Sequence, residues 1–300
     1  MKVAVCLLAR NEARCLLEWM AYNLVLGFDE ILVYDNDSID GTRQVVEHAR
    51  KVDPRIRYFA WPDIPGLAPQ RRAYNHALRR SDADWIAFID ADEFIVLREH
   101  DRIGDFLAQF DDTIGAVCLH WRIFGSSGHK TYANDLVIRR FQRCAATYDP
   151  LVKSIVRRSS VAEMRVHFAI LASGIHVAAN GRQVAARCKI RQIQSEHPAF
   201  INHYLLKSVE EYRAKVARGA GSWPPDSPRR RAKYKPHFWV RFDRNEAEDP
   251  TIARLIPAVE AEMKRLGSPA TADFSRSAPI PISGDRNCTD RDVRRRRDRA

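Results

Sequence analysis

Residues 3–89 alternate short apolar runs with stretches of helical periodicity, and this alternation limits what the chain can fold into. Strands that alternate with helices at this spacing predict βαβ units and an α/β fold, with a mostly parallel central sheet and helices on both faces. Ligands of such sheets bind at the carboxyl ends of the strands. The predicted strands are Val3–Leu8, Ile31–Tyr34, Ile56–Ala60 and Trp85–Ile89, and the predicted helices are 12–26, Ile39–Lys51 and Ala68–Arg80.

The pattern changes after residue 100, where strand-like runs follow one another without long helices between them. This predicts a mixed continuation of the sheet, followed by a helical C-terminal extension. The predicted strands are Ala116–Arg122, Leu136–Phe141 and Val152–Arg157; the predicted helices are Pro198–Gly219 and Pro250–Leu266, the second capped by Asp249 and stopped by Gly267, with a loop over 221–245.

The fourth predicted strand ends abruptly in Asp90-Ala91-Asp92-Glu93. A buried strand interior cannot hold three carboxylates without a large desolvation cost, so these acids must meet water, cations or a ligand. Two aspartates separated by one small residue can converge on a hard divalent cation such as Mg²⁺ or Mn²⁺, which also accepts substrate phosphates. A solvated acidic turn is the alternative.

The first two predicted strands also end in polar residues. Arg10, Asn11 and Glu12 follow the first strand, and Asp35 and Asp37 follow the second. Such groups cap helices, but Asp35 lies too early to cap and can accept hydrogen bonds from a base or a ribose hydroxyl. We therefore expect a nucleotide at these ends.

Further polar candidates lie later in the chain. Gln70, Arg71 and Asn75 share one side of a predicted helix, which is either a solvated face or part of the site. The loop around Gly125, whose sequence does not fit a phosphate-binding P-loop, could form part of a sugar pocket. Single histidines are more often structural than metal ligands; those that could complete a metal shell are His167, His176 and His203.

The net charge and the cysteines indicate which partners and which cellular compartment to expect. The formal net charge of the 300 residues is +11, of which seven Arg against three Asp in residues 286–300 contribute +4. Such a tail is typical of a solvated, disordered end, or of electrostatic contact with an anionic membrane or nucleic acid. The six cysteines lack metal or redox spacing, which favours buried thiols in a reducing compartment. We expect a cytoplasmic protein, with peripheral contact to the inner face of the membrane through this tail.

An ordered series of motifs resembles a known group of enzymes. The segments RNE, LLEWMAYNLVLGFDEILVYDNDSIDGT, QRRAYNHAL, WIAFIDADEF, HWRIFGSSGHK and INHYLLKSVEEYRAKVARG are similar to the family 2 and family 92 group of GT-A glycosyltransferases. The resemblance covers about residues 3–219. It implies a GT-A Rossmann-like sandwich that transfers a sugar, with inversion, from a nucleoside diphosphate sugar, UDP-linked by resemblance.

The resemblance also implies roles for residues of this chain. By position, His167 is the first choice to complete the metal shell and His203 the second. The implied nucleotide-binding residues are Ala9, Arg10, Asn11, Glu12, Asp35, Asp37, Gln70, Arg71, Asn75 and Asp90. The implied metal ligands are Asp90, Asp92, His167 and His203, and the sugar or acceptor pocket comprises Trp121, Gly125, Ser126, Ser127 and His129.

The sequence differs from those of this group at a position that bears on the identity of the catalytic base. Related sequences carry an acidic residue in the VIRRF-like segment, where this chain has Arg139. An inverting transferase needs a base to take the proton of the acceptor hydroxyl. Asp135 and Glu163 are the candidates for this role.

These expectations define one main hypothesis and three rivals. In the main hypothesis, residues 1–219 form the catalytic domain, 220–267 a loop and helix extension, and 268–300 a flexible basic tail. The acceptor is a glycan or glycolipid, and the enzyme acts in polysaccharide biosynthesis. The rivals are a metal-dependent nucleotidyltransferase, a nucleic-acid-binding protein, and a catalytically silent nucleotide- or glycan-binding protein. No phosphate-binding loop follows the first strand, and no nucleic-acid module is recognisable in the sequence.

Overall fold

The N-terminal half of the molecule is an α/β unit, as the alternation of the sequence predicts. A computed structural model describes residues 1–191, 196–232, 234 and 236–267. The elements of this half are β1 (Val3–Ala9), α1 (Ala13–Val25), β2 (Glu30–Asp35), α2 (Thr42–Val52), β3 (Ile56–Ala60), α3 (Pro69–Arg80), β4 (Trp85–Phe88), β5 (Glu93–Leu97) and α4 (Ile103–Ala108).

The second half is built mostly from strands and ends in helices. Its strands are β6 (Ile114–Ile123), β7 (Arg143–Cys144), β8 (Asp149–Arg157), β9 (Val161–Met164), β10 (Ala169–Leu171), β11 (Ile175–Ala178), β12 (Gln183–Val184), β13 (Ala199–His203) and β14 (Ala247–Glu248). Its helices are α5 (Val137–Arg140), α6 (Val209–Arg218), α7 (Arg229–Ala232), α8 (Pro236–Phe242) and α9 (Ile256–Leu266), with 3₁₀ turns at Arg158–Ser160 and Thr251–Leu255.

One large mixed sheet organises the molecule. Its strand order is β12-β11-β6-β8-β4-β1-β2-β3, and β13 joins it by pairing with both β6 and β5. The pairs β4–β1, β1–β2 and β2–β3 are parallel, whereas β8 is antiparallel to both of its neighbours. Because β1, β2 and β4 are parallel, their carboxyl ends lie at one edge of the sheet, which confirms the predicted fold class.

Two apolar layers cover the sheet. Alternate residues of a strand point to opposite faces, so Val5 and Leu7 pack with the side of α1 and α2, and Ala4 and Cys6 with the side of α3. Helices α1, α2 and α9 contact one another, and α3 contacts β9. The sheet is thereby held between helical layers.

Two predicted elements are wrong. Leu136–Phe141 was expected as a strand, but Val137–Arg140 is a single helical turn. Two backbone N–H groups at its start, those of Val137 and Ile138, donate to the buried carboxylate of Glu18. This long-range contact supplies the hydrogen bonds that a strand would have obtained from a neighbouring strand.

The predicted helix Pro198–Gly219 is the second error, because its first part is strand β13. Strand β13 is buried and pairs with β5 and β6, and its apolar run suits a buried strand as well as a helix. The chain turns at Lys207, which has a φ of 57°, before α6 begins. Residues 221–245, predicted as a loop, contain the short helices α7 and α8.

The C-terminal helix is confirmed, although its start differs from the prediction. Thr251–Leu255 is a 3₁₀ turn and the α-helix begins at Ile256. The Asp249 carboxylate accepts a hydrogen bond from the Thr251 N–H at 2.9 Å, close to its predicted capping role. In the described part of the chain, no helix combines the length and apolarity needed to cross a bilayer. The predicted basic tail at 268–300 lies outside the described residues.

Candidate active site

The acids after β4 lie where the parallel strands end, and they meet cations rather than water. Asp92 is 6% exposed and Glu93 is fully buried, while Asp90 is partly exposed. Lys153 on β8 lies 3.0 Å from Asp90 Oδ2, and Lys215 on α6 pairs with Asp92 Oδ2. The chain itself therefore supplies the positive charge that these carboxylates require.

Asp90 is held in place by three side chains. Its Oδ1 accepts hydrogen bonds from Gln70 Nε2 at 2.7 Å and from Tyr74 Oη at 3.2 Å, both from α3. Burial opposes ionisation, but the ammonium of Lys153 lowers the pKa of Asp90 below its ordinary value. Asp90 is thus an ionised carboxylate with a fixed orientation.

Asp92 joins α6 to β13. Its Oδ1 lies 3.6 Å from Nε2 of His203, the last residue of β13, and its Oδ2 holds Lys215. Burial would raise the pKa of Asp92, but Lys215 and His203 lower it well below its ordinary value. The Trp121 ring packs edge-on against His203, with centroids 4.3 Å apart, so the imidazole position is fixed by packing.

Glu93 and His203 form an incomplete contact. Glu93 Oε1 and His203 Nδ1 face each other at 3.8 Å, and neither atom has a hydrogen-bond partner among the described residues. Burial raises the pKa of Glu93 to about 7. A small shift would let His203 donate from Nδ1 to Glu93 and leave its Nε2 lone pair directed at Asp92.

With Nδ1 of His203 donating to Glu93, its Nε2 atom would be available to bind a divalent metal. A ligating histidine commonly donates its other ring N–H to a carboxylate, as His203 could to Glu93. Asp92 and His203 would then be two protein ligands, and Mg²⁺ commonly takes only one or two carboxylates plus substrate phosphates and water. No group of three or more His, Cys, Asp or Glu in the described residues is arranged to hold a metal alone. The residues therefore fit a metal that is shared with a diphosphate, after Lys215 releases one oxygen of Asp92.

His203 lies 3.6 Å from Asp92, and the contacts given for the other two predicted histidines are with different residues. His167 Nδ1 lies 3.0 Å from the backbone oxygen of Val152, and its ring is 5.3 Å from that of Trp121. The third histidine considered, His176, lies on β11 near Cys118.

The exit of β1 carries a second ionic cluster. Arg10 Nη1 donates to Asp63 Oδ2 at 2.8 Å, and Asn36 Nδ2 donates to Asp63 Oδ1 at 3.0 Å. Arg230 on α7 reaches the same carboxylate at 3.1 Å. Glu12 pairs with Arg218 on α6. Two basic side chains, Arg218 of α6 and Arg230 of α7, thus pair with acids at this part of the edge.

The acids after β2 shape the neighbouring turn. Asp35 is buried, accepts from Tyr58 Oη at 3.0 Å, and accepts from the Ser38 N–H at 3.2 Å. Asp37 has a φ of 52° and accepts from the Asp63 N–H at 2.8 Å. The predicted nucleotide residues at the ends of β1 and β2, including Ala9, which pairs with Asp35, therefore come together at one edge.

The three predicted residues of α3 divide between two tasks. Gln70 binds Asp90, as described above. Arg71 pairs with Glu163, and the Asn75 side chain donates to and accepts from the backbone of Met164, 2.8 Å and 2.9 Å away. In this structure Arg71 and Asn75 fasten α3 to β9, and their nucleotide role stays a prediction.

The predicted acceptor loop is packed against the chain near residue 245. The backbone N–H groups of Ser126 and Ser127 donate to the side chains of Asp243 and Asn245. A Cβ at Gly125 would collide with the backbone oxygen of Arg244 and with Asn245, so only glycine allows this approach. His129 bonds through Nε2 to the backbone oxygen of Arg140 at 3.0 Å. Of this predicted pocket, Trp121 alone is placed in contact with His203.

The two candidate bases lie apart. Glu163 on β9 pairs with Arg71 and with Arg165, the latter at 3.1 Å. Asp135 pairs with Arg139 at 2.8 Å, and Arg139 also reaches Glu260. Asp135 therefore belongs to a surface ion-pair group beside α5 and α9, whereas Glu163 lies beside α3.

Several residues of the site were not predicted from the sequence. Lys153, Lys215, Arg218, Arg230 and Asp63 all contact predicted site residues, but each lies far from them in the sequence. The spacing of Lys215 and Arg218, three residues apart on one helix, was the single available signal, since it places both on one side.

Acids and cations gathered at the carboxyl ends of the parallel strands of an α/β sheet lie where such folds bind ligands. The model of glycosyltransferase family 92 matches residues 1–217. The chain belongs to glycosyltransferase family 92. The resemblance drawn from the motifs is thereby confirmed.

Individual proteins of family 92 also match parts of the chain. A family 92 protein of Oryza sativa subsp. japonica is 30% identical over 159 residues, which are 52% of this chain and 26% of the relative. One of Ricinus communis is 26% identical over 238 residues, 74% of this chain and 38% of the relative. The matched parts of the chain thus span less than half the length of these relatives.

Solved structures resemble the chain only partially. The mannosyltransferase PcManGT of Pyrobaculum calidifontis, solved with GDP-Man and Mn²⁺, is 26% identical, with a TM-score of 0.31 over 39% of this chain and 35% of that one. Residues 1–349 of TarS of S. aureus, solved with UDP, are 20% identical, with a TM-score of 0.34 over 53% of this chain and 47% of that one. Scores at this level carry no argument about the site.

Proposed function

We propose that the chain transfers a sugar from a nucleoside diphosphate sugar, UDP-linked by its resemblance, to a hydroxyl of a glycan or glycolipid, with inversion. Membership of family 92 supports glycosyl transfer. The observation that carries the proposal is the pairing of Asp90 with Lys153 and of Asp92 with Lys215 at the edge where β1 and β2 also end. A nucleotide along this edge would place its diphosphate beside the acids and its nucleoside toward Asp35 and Asp63.

The reaction exchanges one bond for another at the anomeric carbon. The acceptor oxygen bonds to that carbon while the bond to the diphosphate oxygen breaks, and the electron pair leaves with the diphosphate. The developing negative charge needs fixed cations, and donors in a water-poor site stabilise it more than in solution. Lys215 and Arg218 of α6 are the side chains that we propose for this role.

A divalent ion, Mn²⁺ or Mg²⁺, would be held by Asp92 and His203. When bound, it would supply Lewis-acid stabilisation of the leaving diphosphate. Asp90 remains on Lys153, Gln70 and Tyr74, and we propose that it orients the ribose or an adjacent donor hydroxyl. Lys215 then changes partner, from the Asp92 carboxylate to a phosphate oxygen of the donor.

For the base we favour Glu163 over Asp135. Glu163 lines a groove that also contains His167, which packs against Trp121, the neighbour of His203, whereas Asp135 pairs with Arg139 of α5. The base takes the acceptor proton as the new bond forms. Transfer rates of Glu163→Gln and Asp135→Asn variants separate the two assignments, and loss of transfer in the second alone would move the base to Asp135.

The proposal is tested by donor binding. Ligands that bind the folded form raise its melting temperature, so UDP- and GDP-linked sugars are screened with and without Mn²⁺. We expect a metal-dependent rise with a UDP-sugar, and its loss in Asp92→Asn. Asp82→Asn is the matched control, because Asp82 is exposed and pairs only with Lys2 among the described residues.

Three outcomes would replace the proposal. Release of pyrophosphate instead of nucleoside diphosphate indicates a nucleotidyltransferase. Nucleotide binding without turnover on any acceptor indicates a silent binding protein. A gel-shift complex with nucleic acid at moderate salt, without nucleotide-sugar binding, indicates a nucleic-acid-binding protein.

The basic tail adds a proposal about location. Its net charge of +4 over residues 286–300 would draw the protein to an anionic membrane surface or a polyanionic acceptor. Sedimentation with vesicles that contain anionic lipid, compared between the full chain and one ending at residue 285, tests this. Equal binding of the two chains contradicts it.

A further inference from the structure

A groove lies on the α3 side of the sheet, next to the candidate active site. It encloses about 1160 Å³, a size that holds a ligand of several sugar units. Its walls are α3, the segment around β9 and β10, the turn after β3, and the turn after α6. The lining residues on which the argument rests are Trp61, Arg71, Arg72, Arg79, Arg165 and Trp223.

The groove is strongly basic. Four arginines and one carboxylate, that of Glu163, line it, which is a formal excess of three positive charges. Glu163 is shared by Arg71 and Arg165. In the described part of the chain, neither Arg72 nor Arg79 pairs with an acid; Arg72 donates to the backbone oxygen of Pro62 at 3.0 Å. Guanidinium groups bind carboxylates in a bidentate geometry, so unneutralised arginines favour an anionic ligand.

The charges are spread along the groove rather than gathered at one point. Arg72 and Arg79 are seven residues apart on α3, which separates them by about 10 Å along the helix axis. A single phosphate would need a compact cluster of donors. Arginines at intervals match a polymer that carries a negative group on successive units.

Two tryptophans give the groove surfaces suited to sugar rings. Trp61 and Trp223 are half-buried and both line the groove, and the guanidinium of Arg229 lies 5.1 Å from the Trp223 ring centroid. The guanidinium of Arg72 lies 4.7 Å from the Trp61 ring centroid, and this contact holds the arginine beside the aromatic surface. Large aromatic rings with neighbouring polar groups bind amphipathic ligands such as sugars.

Packed aromatic rings connect the wall of the groove to the acids. His167 lines it and packs against Trp121, and Trp121 packs against His203, which lies 3.6 Å from Asp92. The loop at Gly125, predicted for the acceptor, is packed against residues 243–245 instead of lining this groove. The wall of the groove is therefore joined by packed rings to the part of the site where the donor would react.

We propose that this groove binds the acceptor and that the acceptor is an acidic glycan with carboxylates on successive sugar units. The proposal rests on the proposed glycosyl transfer and names the substrate class of that same site. The arginines bind the carboxylates, the two tryptophans stack on sugar rings, and a terminal hydroxyl lies beside Glu163.

Direct binding tests the proposal without requiring turnover. End-labelled hexagalacturonate is titrated with the full chain, followed by fluorescence anisotropy, at low salt and at 0.15 M salt, roughly the physiological level. The same oligosaccharide with methyl-esterified carboxyl groups is the neutral counterpart. We expect the acid to bind at least about tenfold more tightly than the ester, with affinity falling as salt rises.

Variants locate the binding. We expect Arg72→Gln/Arg79→Gln to weaken hexagalacturonate binding about tenfold, since each lost surface pair contributes a modest part. Arg80→Gln is the matched control: Arg80 is the exposed neighbour of Arg79 on α3 but does not line the groove, and its substitution leaves the affinity within about twofold. If the double variant does not fold by its melting curve, Arg79→Gln and Arg165→Gln are measured singly.

Several results would overturn the proposal. They are equal affinity for acid and ester, unchanged affinity in the groove variants, and tighter binding of a phosphorylated oligosaccharide or of RNA of the same charge. Donor binding is measured in the same samples. If UDP-sugar binding persists while hexagalacturonate fails, the groove assignment is wrong and the transferase proposal stands; if UDP-sugar binding is also absent, the proposed function itself fails.

Discussion

At the scale of single residues, the site is a set of acids whose countercharges come from distant parts of the chain. Lys215 supplies the countercharge of Asp92, because it pairs with one oxygen of that carboxylate. A divalent ion at Asp92 would compete with it. The lysine therefore keeps the buried carboxylate paired while no metal is bound, at the cost of lower metal affinity.

This competition predicts the behaviour of Lys215→Met. Removing one partner of a buried pair leaves Asp92 uncompensated, which should lower the free energy of unfolding by about 3 kcal/mol in chelator. Mn²⁺ should restore much of that loss and bind more tightly than to the wild type, because its competitor is gone. Melting curves with EDTA and with Mn²⁺ measure both effects.

Arg213→Met serves as the control for this experiment, since Arg213 is an exposed residue of the same helix. It should change neither the melting temperature in chelator nor the response to Mn²⁺. An unaltered Mn²⁺ response in Lys215→Met would show that the lysine does not compete for the Asp92 carboxylate.

At the scale of elements, buried polar contacts join segments that are distant in sequence. Glu18 of α1 is 4% exposed and accepts from the backbone N–H groups of Val137 at 2.8 Å and Ile138 at 3.0 Å, at the start of α5. Burial raises the pKa of Glu18 to about 7 from its ordinary value of 4.5. The folded protein therefore holds a proton that the unfolded chain releases.

The sign of the pH dependence follows from this difference. Between pH 4.5 and about 7, the native state binds the proton and the unfolded state does not, so the contribution of Glu18 to stability falls as pH rises, by about 3 kcal/mol in total. Glu18→Gln should lack this decline. Urea unfolding of both proteins between pH 4.5 and 8 measures it, and parallel stability profiles would contradict it.

Helix α6 owes its start to a capping box. Ser208 Oγ accepts from the Glu211 N–H at 3.3 Å, and Glu211 Oε2 accepts from the Ser208 N–H at 3.2 Å. Ser208→Ala should lower the free energy of unfolding by about 1 kcal/mol. It should also weaken UDP-sugar binding, because α6 carries Lys215 and Arg218.

Thermal and urea unfolding check the first effect, and a donor titration checks the second. Ser159→Ala is the control, since Ser159 is an exposed residue outside the site and its loss should alter neither quantity. Unchanged stability in Ser208→Ala would contradict the stabilising role of the capping box.

The elements that the sequence predicted well are those with local causes. Strands β1–β4 and helices α1–α3 follow from apolar periodicity, with ends displaced by at most three residues, and the acids after β4 follow from the cost of burying charge. Strand β13 and helix α5 were mispredicted because their partners, β5, β6 and Glu18, lie about 80 to 120 residues away. Lys153 and Lys215 were missed for the same reason, since only the folded chain brings them to Asp90 and Asp92.

At the scale of the whole molecule, the core extends beyond the segment that the family model matches. Phe242, Ile252, Val259 and Leu266 belong to the same buried cluster as the residues of β1 and α1, and α9 packs on α1. Ion pairs add to this attachment: Arg122 binds Asp249 at 2.8 Å, and Arg265 binds Asp53. The boundary predicted at residue 219 is therefore not a boundary of packing.

This packing predicts how truncated chains behave. A chain ending at residue 267 should keep a cooperative unfolding transition close to that of the full chain, because it retains α9. A chain ending at residue 219 should lose it or aggregate, since removing the four buried side chains uncovers apolar surface worth roughly 1.5–3 kcal/mol for each, a large part of the stability of a typical domain. Circular dichroism melting and gel filtration of the three chains make the comparison. A 219-residue chain that melts cooperatively near the full-length temperature would mean that residues 220–267 rest on a catalytic domain that folds without them.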